Sequence, residues 1–348
     1  MDKCEILFRL SSIMNKLQDD ESRIIFEARI KYLFTRNEND YYELIENIRK
    51  ESYCSELEEF LKDNEDNQGI IIFGAGIEGI RTKKLLDSCN RPAKLFCDDS
   101  VVGKIEGLDV IKEEQLIKDY RNWVVILSTR SILVDIYSQL LRSGYPRKRI
   151  LFPMYYHLVA SNGMQYFDVL PPLENEVFID AGSYNGDTIR EFIKWTTGSY
   201  KRIYAFEANN EMFDVINKYI ESENVKNIIF TPKATWSKKD KLNFVKDATA
   251  SRIGIEGGDS VEAIDIDSVV GDDKVTYIKM DVEGSELQSL IGAQNVIRKY
   301  KPRLAISVYH RPDDIVEIAE YILALNPDYK LLLRQYNSNF WETILYAF

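Results

Sequence analysis

Val177-Phe178-Ile179-Asp180-Ala181-Gly182-Ser183-Tyr184-Asn185-Gly186-Asp187-Thr188 decides how this chain is read. Three apolar residues make a strand, an acid ends it, and a loop with two glycines follows. Ile189, Phe192 and Ile193 then recur at helical spacing. Strand, glycine loop and helix suit a nucleotide-type ligand. Glycine lets the backbone approach closely, and the helix start offers unpaired N–H groups. The spacing here is D-x-G-x-x-x-G, not G-x-G-x-x-G. A carboxylate at Asp180 repels a pyrophosphate and suits a cationic group, such as the ammonium of an amino acid.

S-adenosylmethionine has such an ammonium and a sulfonium besides. The next apolar run, Ile203 to Phe206, ends in Glu207, 21 residues after Gly186 (207 − 186). An acid at that distance can accept both hydroxyls of a ribose, each charge-assisted bond contributing roughly 1.5–3 kcal/mol. Asp180, Gly182, Ser183, Gly186, Asp187, Glu207, Ala208 and Ala234 form the candidate cofactor set. Removing Asp180 or Glu207 is expected to weaken cofactor binding and spare the fold.

Working outward, the chain has 348 residues, 45% hydrophobic and 29% charged, with a net charge of −11. That length accommodates two domains. The acidic balance argues against nucleic acid and anionic membrane as partners. Cys4, Cys54, Cys89 and Cys97 show neither metal nor disulfide spacing, so reduced thiols are expected. With no long apolar run and no signal peptide, a cytoplasmic location is expected.

The fold class reads as α/β, with two Rossmann-like doubly wound domains after a helical N-terminal segment. Residues 1–66 form that segment, with Ile6, Leu10, Ile13 and Leu17 as its first stripe. It is a packing element, or a surface for homo-oligomerisation. Residues 67–152 form a small domain. Ile70 to Phe73 runs into Gly74-Ala75-Gly76-Ile77-Glu78-Gly79, and Asp98 lies 19 residues after Gly79 (98 − 79). Gly74, Gly76, Gly79 and Asp98 are thus candidates for a second nucleotide or nucleotide-sugar site. A ligand-free module that kept its tight turn reads equally well. Residues 153–176 are a connector broken by prolines, with His157 among aromatics. From 177 to 348 strands are expected at 177–180, 203–207, 227–231, 275–280 and 303–308. Tyr329–Tyr336 and Glu342–Phe348 read as a closing antiparallel pair.

Two strand ends in this last domain carry chemistry. Tyr277-Ile278 leads to Lys279-Met280-Asp281-Val282-Glu283-Gly284-Ser285-Glu286, and Leu304 to Val308 leads to Tyr309-His310. Ligands bind beyond the carboxyl ends of such strands, so Lys279, Asp281, Glu283 and His310 are the catalytic candidates. His310 or Asp281 is expected to serve as general base. If His310 is the base, activity rises with pH through its titration. Asp281 and Glu283 offer oxygen ligands for a metal, but no spacing demands one and none is expected.

V-F-I-D-A-G-S-Y-N-G-D-T, A-F-E-A, I-K-M-D-V-E-G-S-E and the closing W-E-T-I-L-Y-A together resemble the FkbM family of methyltransferases over roughly residues 177–348. The resemblance implies a class I methyltransferase sheet, S-adenosylmethionine as cofactor, and O-methylation of a hydroxyl on a sugar, nucleotide sugar or small natural product. It implies cofactor contacts at Asp180, Gly182, Gly186 and Glu207, and an active-site rim at Lys279, Asp281 and Glu283. Ala208 stands where many members have proline, and Lys233 precedes Ala234 where an amide or acid often reads adenine. The rival readings are a nicotinamide-dependent oxidoreductase built on the Gly74 loop, and a nucleotide-sugar-binding protein with a non-catalytic methyltransferase-like domain.

Overall fold

A computed structural model describes residues 3–37, 53–129, 133–151, 165–245, 252–253, 259–336 and 341–348. His157 lies outside the described residues. The chain divides into two compact units, one of residues 1–42 with 163–348 and one of residues 43–162. The helical stretch read as 1–66 is therefore shared between them.

Helices α1 (Lys3–Met14) and α2 (Asp20–Thr35) belong to the first unit. The second unit begins its described part with helix α3, over 53–62. It continues through β1 (Ile70–Phe73), α4 (Ile77–Ser88), β2 (Leu95–Cys97), β3 (Gly103–Ile105), β4 (Leu108–Ile111), α5 (Glu113–Asp119), β5 (Val124–Leu127), α6 (Leu133–Arg142) and β6 (Ile150–Leu151). The sheet order is β3-β4-β2-β1-β5-β6, parallel except for β3. Central β1 is buried throughout, which is why it reads as an unbroken apolar run. The turn-rich stretch after Asp98 contains the edge hairpin β3–β4.

One expectation is overturned here. Cys54 and Cys89 form a disulfide, with Cα atoms 5.6 Å apart. Cys54 lies in α3 and Cys89 directly follows α4, so packing of the two helices joins cysteines 35 residues apart. Spacing along the chain gave no sign of it. Buried Cys97 is a free thiol.

The first unit resumes with β7 (Glu176–Ala181), α7 (Asp187–Trp195), β8 (Tyr200–Phe206), α8 (Asn210–Ser222) and β9 (Ile228–Thr231). Four strands that the sequence reading did not separate follow: β10 (Ala234–Thr235), β11 (Asp240–Val245), β12 (Arg252–Ile253) and β13 (Asp259–Ile264). They make a small sheet of their own. Then come α9 (Ile266–Val270), β14 (Tyr277–Met280), α10 (Glu286–Ile291), α11 (Gln294–Tyr300), β15 (Arg303–Ser307), α12 (Asp314–Leu325), β16 (Leu331–Gln335) and β17 (Thr343–Ala347). The main sheet has the order β16-β17-β15-β14-β7-β8-β9, and β17 runs antiparallel to both its neighbours. The expected closing pair is therefore β16–β17. Strand order reverses at β7, which lies between β14 and β8, so the crevice opens beyond the carboxyl ends of these strands. An aromatic layer of Phe167, Phe178, Phe192 and Tyr277 packs one face of this sheet.

The N-terminal helices seal the edge strand. Leu17 bridges Leu331, and Leu333 donates its N–H to Ser22 Oγ at 2.9 Å. Asp19 caps α2 through the Ser22 N–H and pairs with Arg334 at 2.6 Å. Burial pushes the Asp19 carboxyl up, but Arg334 and Ser22 outweigh it and hold its pKa below the ordinary value. The contribution is thus present above the unfolded pKa and lost as pH falls through the folded one. Asp19→Ala should cost about 1–3 kcal/mol near neutral pH, read as a lower denaturant midpoint. Its gap from the parent should narrow in acid.

Candidate active site

Asp180 on β7 and Lys279 on β14 are partners in register, and their side chains meet at 3.2 Å. Both are buried, Asp180 at 0% and Lys279 at 2% exposure. Burial pushes Asp180 up to about 6 against the opposing pull of Lys279. Burial also presses the Lys279 ammonium down, but Asp180 and Asp281 outweigh it and raise its pKa. Lys279 Nζ further donates to the Gly182 carbonyl at 2.6 Å. Lys279 therefore lies beneath the loop, with its ammonium 5.2 Å from the centre of the Tyr166 ring. Removing Asp180 would strand a buried ammonium, at a cost of about 3–5 kcal/mol. Asp180→Ala is therefore predicted to lower stability as well as cofactor binding, against the expectation from sequence, and melting curves of the variant check this; Asp180→Asn is the conservative probe.

The glycine loop is held from both sides. Gly182 and Ser183 N–H groups donate to the Phe206 carbonyl, and Asp281 N–H donates to Ala181. Gly182 has φ +83°, and a Cβ there would lie 1.9 Å from the Asp281 carbonyl oxygen. Only glycine meets both constraints. Ser183 is buried and donates its hydroxyl to the Asp180 carbonyl. Gly186, also at positive φ, precedes α7 and offers no side-chain cap, leaving the first helical N–H groups to other partners. Asp187 caps the Thr188 N–H.

Glu207 follows β8. Its Oε2 accepts the Tyr184 N–H and its Oε1 the Asn209 N–H, each at 2.7 Å. Burial raises its pKa, and these backbone bonds oppose the shift. Two oxygens with one bond each keep lone pairs for further donors. Ala208 is partly exposed beside it, whereas Ala234 is buried in β10, paired with Ala263. The Lys233 ammonium pairs with Glu262 at 2.6 Å.

Beyond β14 the acidic stretch closes on itself. Asp281 accepts the Tyr166 hydroxyl at 2.7 Å and the Tyr309 hydroxyl at 3.2 Å. Glu286 Oε1 accepts the Val282 N–H at 2.8 Å. His310 stands among the acids, its side chain 7% exposed. Nε2 lies 3.2 Å from Glu283 and 3.5 Å from Asp281, and Nδ1 lies 2.9 Å from Glu286. Burial lowers the ring's pKa, but the carboxylates more than reverse this and raise it to about 11. Both nitrogens of the residue expected to serve as base thus face carboxylates of the chain. Glu342, bonded to Gln165 at 2.6 Å, is pushed up to about 7, mainly by burial and then by Asp281.

Tyr166, Glu286 and Glu342 were not singled out from sequence. Tyr166 lay in the connector, which bears no motif, and Glu342 stood in the closing W-E-T-I-L-Y-A string without a role being read for it. Glu286 stood in the quoted acidic string but was given no role there.

In the second unit, Gly74 and Gly76 lie in the turn between β1 and α4, and Gly79 lies in the first turn of α4. Gly74 has φ +107°, and a Cβ on Gly79 would lie 1.9 Å from the Gly74 carbonyl oxygen. Internal packing thus explains both. A Cβ on Gly76 would meet nothing within 4 Å. Asp98 accepts the Ala75 and Ser100 N–H groups and so helps close its own loop.

Residues 180–331 match the family model of the methyltransferase FkbM domain. Among solved structures the chain is similar to a methyltransferase FkbM from Methylobacillus flagellatus KT. The identity is 20%, over 88% of this chain and 100% of that one, with a TM-score of 0.48. It is also similar to an rRNA methylase from Streptococcus thermophilus, at 14% identity over 54% and 92% of the two chains (TM-score 0.35). A third is Aeropyrum pernix fibrillarin with natively bound S-adenosyl-L-methionine, at 12% identity over 56% and 76% (TM-score 0.35). A comparison with curated protein sequences found no match.

Gly182→Ala should destabilise the first unit by at least about 2 kcal/mol, from positive φ and the clash with Asp281. Gly76→Ala, in open space, should stay within about 0.5 kcal/mol of the parent. Melting curves of the two variants side by side check the contrast.

Proposed function

We propose that the methyltransferase FkbM domain at residues 180–331 uses S-adenosylmethionine to methylate a hydroxyl of a small molecule, of the sugar, nucleotide-sugar or natural-product class. The family match supports methyl transfer as the chemistry. The carrying observation is the meeting of the Gly182 loop with the Asp281 main chain at the reversal of strand order. It sets a cofactor-type loop against an acidic, tyrosine-lined rim.

When bound, the cofactor supplies a methyl group on a sulfonium, already activated toward displacement. The residues' part is alignment, which can contribute roughly 7–11 kcal/mol. Glu207 offers its remaining lone pairs to ribose hydroxyls. The loop from Gly182 to Gly186 lines the rest of the cofactor. Asp281, with Tyr166 and Tyr309, forms the edge that meets the acceptor. His310 holds the carboxylates of that edge together, a positioning role.

Glu207→Gln keeps the shape and removes the charge. It should weaken S-adenosylmethionine about 10–100-fold, the equivalent of one charge-assisted bond or slightly more. Titration calorimetry on the full chain reads this directly. An unchanged affinity in Glu207→Gln removes the ribose role; no binding by the parent chain removes the cofactor. Transfer of labelled methyl to a panel of hydroxyl acceptors tests the acceptor class.

A further inference from the structure

The gap between His310 and the acids around it is built for a cation. A neutral imidazole has one donor nitrogen and one acceptor nitrogen, and ionised carboxylates only accept. Both ring nitrogens are buried and make no aligned hydrogen bond, and neither does the buried Oε2 of Glu286. Nε2 lies 3.2 Å from a Glu283 oxygen and 3.5 Å from an Asp281 oxygen. Ligands held about 2.0–2.2 Å from one small metal ion stand about 3–3.5 Å from each other, which is the spacing of Nε2 from the Glu283 and Asp281 oxygens. One ligand atom each from Asp281, Glu286 and His310 lies within 4.8 Å of the others. On the far side of the ring, Nδ1 is 2.9 Å from Glu286 Oε1, whose place is fixed by the Val282 N–H. Metal-bound histidines are commonly oriented by such a carboxylate at the other nitrogen.

We propose that His310 Nε2, Asp281 and Glu283 hold one divalent first-row transition-metal ion, with Glu286 orienting the imidazole from its Nδ1 side. One imidazole with carboxylates favours Mn²⁺, Fe²⁺ or Zn²⁺ over Ca²⁺ or Mg²⁺. Lys279, a cation nearby, is engaged directly by Asp180 and the Gly182 carbonyl, not by Glu283 or Glu286. Because the Asp281 main chain abuts Gly182, the ion would stand beside the cofactor loop. There it can lower the pKa of an acceptor hydroxyl.

The site is tested on the full chain without cofactor or acceptor, so the outcome is independent of the methyl-transfer reading. After treatment with chelator and dialysis, Mn²⁺ binding is followed by electron paramagnetic resonance and Zn²⁺ binding by calorimetry. One equivalent is expected. His310→Ala should abolish it, and Glu283→Gln should weaken it by about tenfold or more. Glu283 is the most exposed of these groups, at 35% of its side chain, so Glu283→Gln should fold even where His310→Ala does not. Circular dichroism establishes which variants are folded. The assignment is overturned by less than one-tenth of an equivalent bound to the parent, as for a ring that carries only a proton. It is equally overturned by full-affinity binding in folded Glu283→Gln.

Discussion

A buried ammonium facing a buried carboxylate ties this sheet together at the point where its strand order reverses. Asp180 and Lys279 are register partners on adjacent strands, and neither reaches solvent. Each alone would carry a large desolvation penalty, and together they offset it only at close range. That requirement keeps β7 and β14 in one register. It also sets the height of the loop above, because the same ammonium holds the Gly182 carbonyl. The absent side chain at Gly182 then admits the Asp281 main chain. A cofactor-type loop and an acidic rim, about a hundred residues apart in sequence, thus become one surface.

The rim shows how a fold tolerates crowded negative charge. Asp281 is met by two phenols, Tyr166 and Tyr309, which give up hydrogen bonds without adding charge. Tyr166 is itself anchored, since its carbonyl accepts the Tyr277 hydroxyl from the strand below. Glu286 spends one oxygen on backbone N–H groups of the preceding turn. Burial and mutual repulsion are thereby spread over several groups, and Glu342 and Asp314 carry part of the strain as pKa values raised to about 7.

What could be read from the chain follows from what is local. The strand–acid–glycine run at 177–188 and the acidic string at 279–286 declare themselves because their residues act where they stand. β1 and β7 were legible as continuous apolar runs, being buried on both faces. The small sheet of β10–β13 was not, because short, polar, partly exposed strands carry little periodicity. Tyr166 was missed for another reason: its partners Asp281 and Tyr277 lie more than a hundred residues away, and an aromatic in a connector looks like any other. The burial of Lys279 was hidden too. A charged residue in a strand reads as outward-facing until its partner on the neighbouring strand is known.

Leu17 meets Leu331 across 314 residues of chain (331 − 17), with residues 43–162 folding as a separate unit in between. On a ribosome making about 5–20 residues per second, α1 and α2 emerge roughly 15–60 s before the strand they cover. Throughout that interval Ile13, Leu17, Ile25 and Phe26, all buried in the finished fold, have no edge to lie on. The intervening unit can meanwhile complete its own sheet and shorten the effective tether between the two ends. The same arrangement makes the N-terminal helices a late-closing clasp, and a nascent chain is most exposed to chaperones and proteases before β16 and β17 are made.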